Sequence, residues 1–159
     1  MASRASVLKH PIHPMLVPFP IGLWIFSLVS DIIYGFGWGG PLWNDIAFYT
    51  MAGGIVGGLA AAVPGLIDYW SMSDPQPAKI AKIHMILNVA IVGLFLVNLW
   101  LRTTLAPEAT LPVILSAVGV AGLGVSGWLG GELVYVHGIG VEPSPPSAGG
   151  RMPKSGMGR

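Results

Sequence analysis

Charge is scarce in this chain, and cysteine is missing altogether. Only 9% of the 159 residues are Asp, Glu, Lys or Arg, against 53% hydrophobic. A soluble domain carries about 25% charged residues, so the composition argues against a water-soluble globule. Eight basic and seven acidic residues leave a formal net charge of +1. That balance lacks the basic stripe of a nucleic-acid binder, and no nucleic-acid partner is expected. The absence of cysteine excludes disulfides, thiolate zinc sites, Cys-ligated iron–sulfur clusters and covalently attached c-type haem. A Gly-Lys-Ser/Thr phosphate loop and a nucleophile-elbow serine are also lacking. A stand-alone enzyme acting on a water-soluble substrate is therefore the least favoured class.

The few charges that are present divide the chain. Uncharged stretches of 21, 22, 19 and 23 residues separate Lys9 from Asp31, Asp45 from Asp68, Lys82 from Arg102 and Glu108 from Glu132. A hydrocarbon core about 30 Å thick needs roughly 20 apolar residues at about 1.5 Å each. None of the four stretches has a polar face at helical spacing, as a soluble bundle would require. The spacing predicts an all-α, integral membrane four-helix bundle in up-down-up-down order. Its spans run over about 14–35, 45–68, 82–102 and 110–133, within a domain 1–141.

Local signals support these boundaries. Pro14 follows His13 as a first-turn proline, with His13 as the cap. Asn44 and Asp45 are N-cap residues for the second span. Ser73, Asp74, Pro75 and Pro77 form a turn before the third, and Ala106, Pro107 and Thr110 separate the third from the fourth. Residues 142–159, rich in Pro, Gly and Ser, read as a disordered cytoplasmic tail. The apolar run after Pro11 and Pro14 is too long for a cleavable signal peptide and ends at Asp31.

With antiparallel spans, Arg4, Lys9, Lys79, Lys82, Arg151, Lys154 and Arg159 share one side, and the other has only Arg102. The positive-inside rule then puts both termini in the cytoplasm of a bacterial inner membrane. Trp43, Tyr69, Trp70 and Trp100 fall at span ends, where aromatic side chains anchor to headgroups. Gly53, Gly57, Ala61 and Gly65 in the second span, and Gly122, Ser126 and Gly130 in the fourth, form stripes of small residues. Such stripes let helices approach closely, and they also leave room for a flat cofactor.

Ionisable groups at a membrane boundary are costly and hence functional candidates. The topology brings His10, His13, Asp68, His84, Glu132 and His137 to one, cytoplasmic, end. Three readings stay open. Two histidines on different helices can ligate a b-type haem, with His13 and His84 at matching depth as the best pair and His10 and His137 as secondary candidates. Alternatively, all six residues can hold a transition metal ion through nitrogen and oxygen. In the third, the histidines only cap helix ends in a structural subunit. Asn88, one turn past His84, is placed to orient that ring. Asp31 and Asn98 lie near the other face at similar depth, where pairing would lower the cost of burying Asp31. The leading expectation is a haem b electron-transfer subunit working with a redox or membrane-complex partner or as a homo-oligomer. The alternative is a non-redox metal-binding or structural subunit.

Four runs carry a family resemblance: HPIHPMLVPFPIGLW at 10–24, PGLIDYW at 64–70, AKIHMILN at 81–88 and GWLGGELVYVHGIGV at 127–141. Together, over about residues 9–142, they resemble the bacterial membrane family catalogued as domain of unknown function 2231. The resemblance implies four membrane helices, an inner-membrane location and matching residues at His10, His13, Asp68, His84, Glu132 and His137. It implies no activity.

Overall fold

A computed structural model describes residues 3–141, so the tail at 142–159 lies outside the described residues. The chain starts with a two-stranded antiparallel hairpin, β1 (Ser6–Val7) and β2 (His10–Pro11). Leu8 and Lys9 at its tip both have positive φ, 48° and 69°, a left-handed conformation unusual for a branched apolar residue such as leucine. Five helices follow: α1 (Ile12–Leu16), α2 (Pro18–Gly35), α3 (Leu42–Trp70), α4 (Pro75–Thr104) and α5 (Thr110–Tyr135). Since α1 and α2 form one run, Ile12–Gly35, the described residues include four helices long and apolar enough to cross a membrane.

The helix ends correct several sequence-based boundaries. His13 lies inside α1 rather than capping the span, and Pro11 holds the N-cap position. Asn44 and Asp45 sit in the first turn of α3, behind Pro41, and are not its N-cap. The third span begins at Pro75 instead of residue 82, because Asp74 accepts a hydrogen bond from the Gln76 N–H and Pro75 occupies the first turn. An acidic N-cap followed by proline starts a helix even where the residues beyond it are polar.

The helices close into a ring, with α2 against α3 and α5, and α4 against α3 and α5. Its core holds Trp24, Met51, Ile55, Ile91, Phe95 and Leu123. Trp24 stacks flat on Phe95, ring centres 4.4 Å apart and planes within 6°. Outside, the apolar pattern is inverted relative to a soluble protein: Val56, Val63, Ile86, Val89, Ile114 and Val125 are all more than half exposed. That outer surface suits lipid, whereas backbone groups are satisfied within each helix.

Small residues decide which faces meet. A methyl group on Gly54 would fall 2.5 Å from the Trp24 indole, one on Gly57 3.2 Å from Pro20, and one on Gly65 2.8 Å from His13. On α5, a methyl on Gly119 would meet Phe95 at 2.7 Å, on Gly122 Ile91 at 3.2 Å, and on Gly130 His84 at 3.4 Å. Along each helix pair the partners run in opposite directions. The stripes thus serve close packing of α3 on α1 and α2 and of α5 on α4.

These contacts reveal an internal repeat. His13 and His84, Pro20 and Ile91, Trp24 and Phe95, and Asp31 and Arg102 are each 71 positions apart. Their glycine partners Gly54 and Gly119, Gly57 and Gly122, and Gly65 and Gly130 are each 65 apart. Hairpin α1–α3 and hairpin α4–α5 are therefore two copies of one unit facing each other across a pseudo-two-fold axis. Equivalent residues meet on that axis, as the Trp24–Phe95 stack shows.

Candidate functional site

At one end of the axis stand His13 and His84, in α1 and in the third turn of α4. Their ring centres are 6.3 Å apart and their planes nearly perpendicular, at 86°. Each ring is held the same way. The Nδ1–H of His13 donates to the Ala61 carbonyl at 2.8 Å, and that of His84 to the Ser126 carbonyl at 3.0 Å. A carbonyl only accepts, so Nδ1 bears a hydrogen in each ring, and the neutral tautomer compatible with these contacts keeps its lone pair on Nε2. Glycine makes this possible: Gly65 and Gly130, one turn beyond the accepting carbonyls, leave space for the Nδ1–Cε1 edge of each ring against the helix.

Asn88 extends the network on the His84 side. Its amide donates to the His84 carbonyl at 2.7 Å and to the Ser126 hydroxyl at 2.6 Å, and that hydroxyl lies 3.2 Å from His84 Nδ1. Val17 is the repeat's equivalent of Asn88, so His13 has no such support. The two rings are geometrically matched but chemically distinct.

The remaining members of the sequence-level cluster lie at this end but serve other contacts. Asp68, one turn past Gly65, accepts from the Ser3 hydroxyl at 2.8 and 2.9 Å and from the Ala5 N–H at 3.0 Å. It ties the N-terminal segment over the end of α3. His10 is exposed and hydrogen-bonds the Leu8 carbonyl through Nδ1 at 2.9 Å, fixing the hairpin tip. Glu132 and His137 line a cleft with Gln76, Lys79, Ile80 and Val136. Among the described residues no three His, Asp or Glu side chains come together as a group that could hold one ion. Asp68 is engaged by Ser3 and Ala5 of the N-terminal segment and His10 by the Leu8 carbonyl, while Glu132 and His137 border the cleft between α4 and α5.

At the far end, the sequence pairing of Asp31 with Asn98 is also corrected. Asp31 is held by Arg102, whose Nη1 donates to Oδ1 at 2.8 Å while Nη2 donates to Oδ2. The side chains are only 7% exposed for Arg102 and 4% for Asp31. Arg102 is therefore a bundle residue rather than a loop charge. A carboxylate in an apolar interior needs a full opposite charge, which an amide cannot provide. Asn98 instead donates to the Pro112 carbonyl and the Ser116 hydroxyl, each at 2.9 Å. Sequence reasoning missed this pair because Arg102 ends the apolar run and looks like a boundary. The 71-residue repeat relating it to Asp31 was the available signal.

No curated protein and no solved structure matches the chain. A family model described as a predicted membrane protein (DUF2231) matches residues 9–143. The helical architecture and this match agree: the chain is a multi-pass membrane protein and belongs to the DUF2231 family.

Proposed function

We propose that the protein carries a b-type haem between His13 and His84 and passes single electrons within the membrane. The facing pair of imidazoles carries this reading. With ring centres 6.3 Å apart, His13 and His84 would hold the haem iron between them through their Nε2 atoms. Nδ1–H bonds to backbone carbonyls orient metal-binding histidines and raise the basicity of Nε2. The donor set also favours haem over a bare ion, because a porphyrin supplies four nitrogens and needs only two from the protein. Among the described residues no third side-chain ligand stands with the pair.

The basic residues support an orientation with both termini in the cytoplasm of a bacterial inner membrane. Arg4, Lys9, Lys79 and Lys82 belong to the histidine end, whereas Arg102 at the other end is neutralised by Asp31. The excess of Lys and Arg thus marks the histidine side as cytoplasmic.

Absorption spectroscopy tests the haem directly. The full chain, purified in mild detergent from haem-replete cells, should show a Soret band that shifts on dithionite reduction. His13→Ala and His84→Ala should each abolish it, and Asn88→Ala should weaken retention roughly 10-fold or more. His10→Ala should keep it. A colourless protein holding stoichiometric zinc or copper, or retention unchanged in every variant, would overturn the reading.

A further inference from the structure

Glu132 stands where two concavities join. A cleft of about 370 Å³ between the start of α4 and the end of α5 includes Gln76, Lys79, Glu132 and His137. A groove of about 680 Å³ follows α5 past Gly124, Gly127 and Gly131, with Trp128 and Tyr135 as its walls. Both are bordered by Glu132 and Val136, so a polar cleft at the end of the span adjoins an open apolar groove along the outer face of α5. We propose that this cleft and groove bind the ring of an isoprenoid quinone or quinol, with the ring's oxygens at Glu132 and His137 and the tail in the groove.

The chemistry of the cleft selects the occupant. Among the described residues the Glu132 carboxylate, the Lys79 ammonium and the His137 ring are engaged in no hydrogen bond or ion pair. Glu132 is half-buried, so it has lost part of its hydration without gaining a protein partner. One positive and one negative side chain make the cleft nearly neutral, which disfavours a phosphate headgroup. They suit a neutral head that offers O–H donors to a carboxylate and C=O acceptors to an imidazole or ammonium. The walls suit a flat ring. Gly124 and Gly127 have no atom within 4 Å of where a Cβ would stand, so a ring can lie against bare backbone. Trp128 and Tyr135, 79% and 89% exposed, offer aromatic surface beside it. Both volumes fall in the usual range of small-molecule sites, about 300–1,000 Å³.

Position gives the site its meaning. Gly130, next in the chain to Gly131, faces His84 on the inner side of α5, so one helix separates groove and histidine pair. A role of the quinol as electron source rests on the haem reading; the binding site does not.

The test uses the full chain in detergent and a short-chain ubiquinone analogue, with quenching of tryptophan fluorescence as the readout. Saturable quenching is expected, its saturable part lost in Trp128→Phe and kept in Trp38→Phe. Glu132→Gln should raise Kd about 10-fold, the scale of one hydrogen bond to a charged group. Gly127→Leu should abolish saturation; should it misfold by circular dichroism, Glu132→Gln and Trp128→Phe still decide. Quenching that is linear in quinone and equal in all variants would mean mere partition into detergent and overturn the proposal. Complete displacement by cardiolipin but not by a second quinone would make the occupant a phospholipid and overturn it equally. Recording the Soret band on the same samples separates the two claims: saturable quenching in a colourless protein sinks only the haem, and a haem protein without it sinks only this site.

Discussion

The Asp31–Arg102 pair joins the two hairpins at the end opposite the histidines, and its energetics can be worked out from its surroundings. Arg102→Met keeps much of the side chain's length but leaves the Asp31 carboxylate, 4% exposed, with only the Ser116 hydroxyl at 3.4 Å. Breaking a buried pair by removing one partner costs about 3–5 kcal/mol, because an uncompensated charge remains. Replacing both members with apolar residues of similar size removes the charge and the need to solvate it. Asp31→Leu with Arg102→Met should therefore lie within about 1–2 kcal/mol of the parent, the residue being the lost hydrogen bonds to Ser116. The double-mutant coupling should reach at least about 2 kcal/mol. Because positions 31 and 102 are equivalent in the repeat, exchanging the charges (Asp31→Arg with Arg102→Asp) should recover more than half of the single-variant loss. Unfolding of the full chain by SDS titration in mixed micelles, followed by circular dichroism, reads all five proteins, the Asp31→Leu single variant included. An Arg102→Met variant within about 0.5 kcal/mol of the parent would refute the buried-pair argument. A double variant as unstable as the sum of its singles would refute the claim that the cost is electrostatic. The histidine end lies about 27 Å away, at 1.5 Å for each residue from His84 to Arg102, so the folded variants should keep the parent's Soret spectrum if haem is bound.

Two further expectations address packing and topology. Gly57→Leu should destabilise the bundle by about 1–3 kcal/mol, since a Cβ there already meets Pro20 at 3.2 Å and overpacking cannot be relaxed between two backbones. Gly22→Leu, where a Cβ meets nothing within 4 Å, is the control and should be neutral or stabilising; equal loss in both would show that helix propensity, not contact, governs. A periplasm-dependent alkaline phosphatase fused after Thr104 should be active and one fused after Arg159 inactive, and the opposite pattern would reverse the assigned orientation while leaving the histidine pair intact.

The number of membrane helices was legible in the sequence because the bilayer acts as a uniform solvent. Four uncharged runs of 19–23 residues can be matched to its thickness without knowing what packs against what. The closeness of His13 and His84 followed from the same reasoning, since helices joined by short connections return equal depths to the same end. Asp74 illustrates the limit of run-length arguments. An N-cap acts over a single turn, so helix α4 begins seven residues before its apolar stretch.

Partner choice belonged to the tertiary structure. Whether Arg102 faces water or the bundle depends on the rotation of α4 about its axis, which the packing of Phe95 on Gly119 and Trp24 sets. Only that rotation brings Arg102, rather than Asn98, to Asp31. Likewise, six ionisable residues at one end looked like one site because depth was the only coordinate available. Azimuth around each helix separates them, placing Asp68 under the N-terminal segment, Glu132 and His137 in a cleft with the start of α4, and His13 and His84 edge to face beside each other. Depth follows from hydrophobic length along the chain, whereas azimuth follows from which glycines let which side chains in, and that is decided only when the helices meet.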